Sequence, residues 1–151
     1  MTKMKRKTSA RVVYYGFGFP VTLRNVPMVH VRGAWTPDVN YEHLQQALLR
    51  VLAEKPARLS GGEVRFIRLA AAMTLQEFAK RFGVTHPAVM KWERARTRAT
   101  SMGWSTEKDI RLDVISRLKE QPGQFFKIYR KLESQPTRRA APLALDVTSV
   151  A

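Results

Sequence analysis

The sequence predicts a mainly α fold, in which a helix–turn–helix bundle is preceded by a small β-meander plus helix. The first observation behind this prediction is the spacing of Ala79, Gly83 and Val89. Ala79 is small enough to let a second helix approach, Gly83 tolerates the positive φ of a turn, and Val89 fills the crossing. The second observation is that apolar residues recur at helical spacing on both sides of this window.

Two threonines are placed to cap the helices of this motif. Thr74 precedes the first helix and Thr85 the second, and Gly83 follows the first as a left-handed C-terminal residue would. The remaining inward positions hold Phe78, Phe82, Val84 and Trp92. An ordinary helical hairpin would show the same spacing, so the pattern alone leaves both interpretations open.

The segments before the motif alternate between β-favouring and turn-forming residues. Short runs rich in Val and Tyr over residues 12–32, with a turn at residues 25–27, predict a small meander. A helix capped by Asp38 or Asn40 then runs to about Lys55, where Pro56 stops it. We assign residues 12–56 to this unit and the basic residues 1–11 to a flexible arm.

Residues 57–134 form the predicted DNA-binding domain with its C-terminal helices. Ser60 and Glu63 have the spacing of a capping box, so a helix begins there and runs to about residue 72. After the motif, Thr106 is expected to cap a helix over residues 106–120, and Pro122 opens a shorter one. The inward stripe Ile110, Val114 and Leu118 either forms a dimer interface or closes the monomer core.

Residues 135–151 have little periodicity, so we expect disorder there.

Positive charge is concentrated on the predicted motif. The chain has 27 Lys and Arg residues against 12 Asp and Glu, a formal net charge of +15 and a pI near 11.0. Residues 56–101 hold nine of the cations and three of the anions. Neutralising phosphate is the commonest use of such charge, although acidic membranes and acidic proteins also attract it. Double-stranded DNA is therefore the predicted partner.

Several functions are disfavoured by what the sequence lacks. It has no cysteine, and its three histidines are not paired at metal-ligand spacing, so we expect no metal and no cofactor. No nucleophile and base, paired carboxylates or metal cluster can be assembled, so we expect no catalytic residues and no enzyme. Without an apolar run of 18 residues or an apolar signal core, we expect a cytoplasmic protein with no membrane contact.

Residues 59–68 (LSGGEVRFIR) and 91–94 (KWER) resemble the Xre, or lambda-repressor-like, regulators. They are more narrowly similar to the MqsA-like (YgiT-type) antitoxin and regulator family. In that family a Leu-Ser/Thr-Gly-x-Glu segment leads into a Phe-Leu-Arg helix, and a Trp-Glu pair closes the recognition helix. The resemblance covers roughly residues 14–118 and implies a lambda-repressor-like bundle. It also implies a structural ion pair between Arg68 and Glu93.

The chain departs from the family pattern in two places. Members with the zinc finger have Cys-x-x-Cys pairs, but residues 31–35 read VRGAW where the second pair would fall. Without these cysteines, the residues do not support a toxin-binding role built on that finger. The family commonly has Gln at the first residue of the second helix, where this chain has Leu75. Phosphate contact there falls to Thr74, Gln76 or backbone N–H groups.

In a lambda-repressor-like bundle the recognition helix lies in the major groove, with its N-terminal end against the base edges. The side chains on its first turns and exposed face are Thr85, His86, Pro87, Ala88 and Lys91. Lys91 can donate to guanine, His86 can donate or accept, and Pro87 and Ala88 can contact a thymine methyl. Beyond the helix, Arg94, Arg96 and Arg98 are suited to phosphates. A solvated helix face and loop would look the same in the sequence.

Two function classes follow from these observations. The first is a sequence-specific transcriptional regulator, a repressor that binds an inverted repeat as a homodimer. The second is an antitoxin-type protein whose N-terminal region neutralises a partner toxin while the helix–turn–helix represses its own operon. A nucleoid-type or RNA-binding protein is a minor third interpretation, which would show no preference between duplex sequences.

Overall fold

The computed structural model describes residues 3–118, 122–134 and 143–149. These residues form a four-stranded sheet and six helices, with three strands before the helices and one after them, so the protein is mostly helical but has substantial sheet. In chain order the elements are β1 (Arg6–Tyr14), β2 (Val21–Val31), β3 (Ala34–Pro37), α1 (Tyr41–Glu54), α2 (Gly61–Ala70), α3 (Leu75–Arg81), α4 (His86–Arg94), α5 (Trp104–Arg117), α6 (Pro122–Lys131) and β4 (Leu143–Asp146), which a short 3-10 turn, Val147–Ser149, follows.

The chain divides into two compact units. One unit comprises residues 1–48 and 142–151, and the other comprises residues 49–141. The division falls inside α1, whereas the sequence placed the boundary after residue 56. The sequence pattern could not show a unit boundary between residues 48 and 49, because a single amphipathic stripe runs the length of α1.

The long strand β2 lies at the centre of the sheet. β1 pairs antiparallel with it from Arg6 opposite Val29 to Tyr14 opposite Val21. β3 pairs antiparallel with the last residues of β2, and β4 pairs parallel with its first four. Because β1 already occupies one edge of β2, β3 and β4 share the other edge end to end.

The structure corrects the flexible arm expected over residues 1–11 from Arg6 onward, because β1 begins there; residues 1–2 lie outside the described residues. The basic side chains of this segment are exposed, so their charge does not oppose strand pairing.

The turn expected at residues 25–27 is also corrected, since β2 continues through these residues. Asn25 instead takes a φ of +54° within the strand. The inward-facing positions of β2 shift by one residue at Asn25. Odd-numbered Val21 and Leu23 are buried before it, and even-numbered Val26 and Met28 are buried after it.

A two-residue turn joins β2 to β3. Arg32 and Gly33 both have positive φ values, 50° and 81°, as in the tight turns that suit the twist of a hairpin. This turn occupies the place where the resemblance would put the second cysteine pair. Residues 31–35 thus form the turn of a β-hairpin and the residues that flank it.

The C-terminal strand β4 corrects the disorder expected over residues 135–151, as far as residues 143–149 are concerned. Leu143 lies opposite Val21 and Leu145 opposite Leu23, and all four side chains are buried. Four residues are too few for a periodicity signal, and their burial depends on pairing with a distant strand. The rest of the predicted tail, residues 135–142 and 150–151, lies outside the described residues.

Most of the predicted helix caps are confirmed in the structure. Asn40 Oδ1 accepts from the His43 N–H at 3.1 Å, and Ser60 and Glu63 form a complete capping box. The predicted Thr106 cap is wrong, because α5 begins two residues earlier, after Gly103. Ile110 and Val114 are buried within the chain, so these two residues of the predicted stripe close the core, whereas Leu118, which follows α5, is half-buried.

In the described part of the chain, no helix is long and apolar enough to cross a membrane.

Candidate nucleic-acid interface

The first helix of the predicted motif, α3, is fixed at its start by a capping box. Thr74 Oγ1 accepts from the Glu77 N–H at 3.1 Å, and Glu77 Oε1 accepts from the Thr74 N–H at the same distance. Phe78 and Ala79 are buried on its inner face. Gly83 follows with a φ of +67°, the left-handed conformation predicted for it.

The second helix, α4, begins at the predicted cap. Thr85 Oγ1 accepts from the Ala88 N–H at 3.3 Å, and Pro87 in the first turn has no N–H that needs a partner. Val89 is fully buried and Trp92 nearly so, as predicted. These two side chains determine which face of α4 is turned inward and which toward solvent.

The outward face of α4 consists of candidate DNA-contacting residues. Pro87, Lys91 and Arg94 are exposed at the i, i+4 and i+7 spacing of one helix face. His86 and Ala88 are half-buried beside them. All ten candidate residues belong to the unit of residues 49–141, at the start of α3, on α4 and just after it.

On α3, Thr74 and Gln76 are exposed at the N-terminal end. Lys80, one turn after Gln76, is exposed on the same side. Lys80 was not among the residues selected from the sequence. The sequence could have indicated Lys80, because it lies four residues after Gln76 and therefore on the same face of α3.

A bidentate ion pair holds α4 against α2, as the resemblance implied. Arg68 Nε donates to Glu93 Oε2 at 2.8 Å, and Arg68 Nη2 donates to Glu93 Oε1 at 2.9 Å. Arg68 Nη1 also donates to the Met73 carbonyl at 3.0 Å, just before α3. The guanidinium thus links α2, the start of α3 and the end of α4. Arg68 is structural, and the prediction of its partner is confirmed.

Residues 94–98, which begin at the last residue of α4, are attached to the start of α2; we call them the arginine segment. The Gly62 N–H donates to the Arg96 carbonyl at 2.8 Å, and the Gly61 N–H donates to the Arg98 carbonyl at 3.2 Å. A Cβ on Gly61 would lie only 2.3 Å from the Trp92 carbonyl oxygen, so this position requires glycine. Arg96 has a φ of +52°, which costs energy in a residue with a side chain. The backbone here is held in one conformation while the arginine side chains stay exposed.

The cations of this unit separate into two groups. One group neutralises carboxylates of the fold: Lys55 pairs with Glu63, Arg58 and Arg111 with Glu107, Arg65 and Arg68 with Glu93, Arg81 and Arg117 with Asp113, and Lys131 with Glu54. The other group makes no ion pair with any described residue, and it includes Lys91, Arg94, Arg96 and Arg98. The fold therefore leaves every candidate cation of α4 and the arginine segment unneutralised.

A fully buried arginine, Arg111, lies in the same unit, and no pattern in the sequence indicated its burial. Arg111 donates from Nη1 to the Lys55 carbonyl at 2.7 Å and from Nη2 to the Ala57 carbonyl at 2.6 Å. Its guanidinium also contacts Glu107, 2.7 Å away, and both side chains are completely buried. Burial lowers the pKa of Arg111, and the charge of Glu107 opposes that shift. The group ties α5 to the chain entering α2.

Among the described residues, no group of three or more His, Cys, Asp or Glu side chains is placed to hold a metal ion. Comparisons of the chain with protein-family models, curated proteins and solved structures found no match.

Proposed function

We propose that this protein is a sequence-specific, double-stranded DNA-binding transcriptional regulator, a repressor that acts as a dimer on an inverted-repeat operator. In this proposal α3 and α4 are a helix–turn–helix of the lambda-repressor-like type. α4 is the recognition helix that enters the major groove.

The observation that carries the proposal is the location of the unneutralised cations. An exposed cation that the fold does not pair contributes little to stability and is free to displace counterions from phosphate. Lys91, Arg94, Arg96 and Arg98 all belong to this group and follow one another on α4 and the segment after it. A surface of this kind suits a polyanion that lies along it.

The exposed residues take different roles according to where they stand. Lys91 lies on the outward face of α4, so it is assigned to a guanine, with His86, Pro87 and Ala88 against neighbouring bases. Thr85 stands at the helix start beside them. Thr74 and Gln76 precede and open α3, where side chains and backbone N–H groups are suited to phosphate. The arginine segment contacts phosphates on the far side of α4.

Selection of bound duplexes from random DNA at a stated salt concentration tests this proposal. We expect enrichment of an inverted repeat whose half-site centres lie about 10 bp apart, because two recognition helices related by a two-fold axis meet successive major grooves. Recovery of sequences with no common motif would contradict the proposal and favour a nonspecific binder.

A further inference from the structure

An accessible tryptophan lies at one end of the sheet, on the short strand β3. Trp35 is 38% exposed, whereas Trp92 in the other unit is 7% exposed. Lys7 on β1 places its Nζ 4.3 Å from the centre of the indole ring. His30 on β2 meets the indole edge to face, with 5.1 Å between the ring centres. The indole is thus held in one orientation while a large part of it stays accessible.

The pairing of the strands shows which side of the indole is open. His30 lies opposite Trp35 in the β2–β3 ladder, and the His30 N–H donates to the Lys5 carbonyl at 3.0 Å. Residues directly opposite each other in antiparallel strands share a face, so Lys5, His30 and Trp35 form a row across the sheet. Among the described residues no strand pairs with the other edge of β3, so Lys7 and His30 both reach Trp35 from the side of β2. The exposed part of the indole therefore faces away from β2.

Cations are concentrated at this end of the sheet. Five exposed ones lie on residues 3–7 and in the turn before β3, namely Lys3, Lys5, Arg6, Lys7 and Arg32. Arg6 pairs with Asp38 at 2.6 Å, and none of the other four forms an ion pair with a described residue. Lys5 and Trp35 are two strands apart, so their backbones are separated by about 10 Å. Positive charge and an accessible aromatic ring thus lie within reach of one short stretch of a polyanion.

We propose that this end of the sheet binds single-stranded nucleic acid. An unpaired base stacks on the open side of the Trp35 indole, which Lys7 and His30 hold in place from the other side. The neighbouring phosphates contact Lys5 and Arg32. An aromatic ring for a base, next to cations for the backbone, is the combination with which proteins bind single strands. We call these five residues the tryptophan surface.

The tryptophan surface suits an unpaired base better than a duplex or an anionic membrane. In a duplex the faces of the bases are covered by their neighbours, so an indole has no face on which to stack. A protein lies on a membrane by burying a continuous apolar face. The row that contains Trp35 also contains His30 and Lys5, so this face of the sheet has no continuous apolar stripe at this end.

This binding goes beyond the proposed function. The tryptophan surface lies in the unit of residues 1–48 and 142–151, whereas α3 and α4 belong to the other unit. It also takes a form of nucleic acid that a recognition helix does not read, because a single strand has no major groove.

Fluorescence anisotropy of the full chain with two labelled probes, oligothymidine and an abasic strand of the same length, tests the stacking directly. The two probes have the same phosphates, so we expect the wild type to bind oligothymidine about tenfold more tightly, the size of one stacking contact. Trp35→Leu keeps an apolar side chain on β3 but removes the ring, so it should bind both probes equally. Trp35→Phe restores a ring and should restore most of the preference.

Tyr15→Leu is the matched control for the ring. Tyr15 is 68% exposed in the same unit but lies outside the row that contains Trp35, so this variant should keep the wild-type preference for oligothymidine.

The charges are tested by comparing Lys5→Gln with Arg11→Gln. Both remove one exposed cation, but Arg11 lies about 20 Å farther along the chain, on β1. Lys5→Gln should lower the slope of log K against log salt for oligothymidine by about 0.7, the value for one phosphate contact on a single strand. Arg11→Gln should change that slope by much less.

Equal binding of oligothymidine and the abasic strand by the wild type would overturn the inference, as would a preference for oligothymidine that Trp35→Leu leaves intact. Vesicles that contain phosphatidylserine are a third probe. If binding to them depends on Trp35 while the wild type shows no preference for oligothymidine, the surface is a membrane contact. Oligouridine in place of oligothymidine distinguishes RNA from DNA as the strand that is bound.

These results are separable from those for the proposed function. We expect Trp35→Leu to leave the affinity for the selected operator unchanged, because α3 and α4 are unaltered. Operator binding without a preference for oligothymidine would leave the function and remove the tryptophan surface, whereas that preference without operator binding would do the reverse.

Discussion

Replacing Arg94, Arg96 and Arg98 together by alanine is expected to make DNA binding much less dependent on salt concentration, because these three arginines provide most of the phosphate contacts proposed for α4 and the arginine segment. Removing one phosphate contact lowers the slope of log K against log salt by about 0.9, so removing three lowers it by about 2.7 per subunit. Affinity should fall nearly equally for the selected operator and for unrelated duplexes, because phosphates are the same in every sequence. Fluorescence anisotropy titrations at several salt concentrations measure both quantities.

The matched control removes the same charge from α6. Lys127, Arg130 and Lys131 are exposed cations on that helix, of which Lys131 lies 3.8 Å from Glu54 Oε1, and replacing all three by alanine leaves α4 and the arginine segment unchanged. We expect the control to change the slope by less than about one unit per subunit, since only long-range attraction is reduced. Equal slopes for the two triple variants would show that the arginine segment makes no phosphate contact.

Replacing Arg111 by methionine is expected to lower the free energy of unfolding by about 3 to 5 kcal/mol, the usual cost of removing one partner of a buried ion pair. The change leaves the buried Glu107 carboxylate with fewer donors and takes donors away from the Lys55 and Ala57 carbonyls. Adding Glu107→Gln should recover part of the stability, because the buried negative charge is then gone. Urea denaturation followed by circular dichroism measures each variant.

Arg117→Met on the same helix is the control for Arg111. Arg117 pairs with Asp113 at the same i, i+4 spacing but is 43% exposed, so its replacement should cost about 0.5 kcal/mol. If Arg111→Met is no more costly than Arg117→Met, the buried network does not hold α5 in place.

Local patterns predicted the helical part of the fold well. The Ser60–Glu63 capping box, the Thr85 cap and the left-handed Gly83 all depend on residues within a few positions of one another, so the sequence is sufficient to predict them. The sheet was predicted less well. β1 and β4 are strands because each pairs with β2, and the β4 pairing joins residues about 120 positions apart.

In the candidate site, too, features that depend on nearby residues could be predicted from the sequence, and features that depend on distant residues could not. The exposed positions of α4 follow from helical spacing around the buried Val89 and Trp92, so the sequence alone could select Lys91. It could not show that the fold leaves Lys91 and Arg96 unpaired while it pairs Arg81, because ion pairs join residues that are distant in sequence. Arg111 was missed for a related reason, since an arginine between apolar positions of a helix is usually exposed.

The central claim is that Lys91 on α4 contacts a base, and repeating the selection of duplexes with Lys91→Ala tests it most directly. We expect the selected inverted repeat to persist with one base-pair position relaxed in each half-site, and affinity for the wild-type operator to fall by about 1 to 3 kcal/mol. A consensus identical to that of the wild type, retained at every position, would contradict the placement of α4 in the major groove.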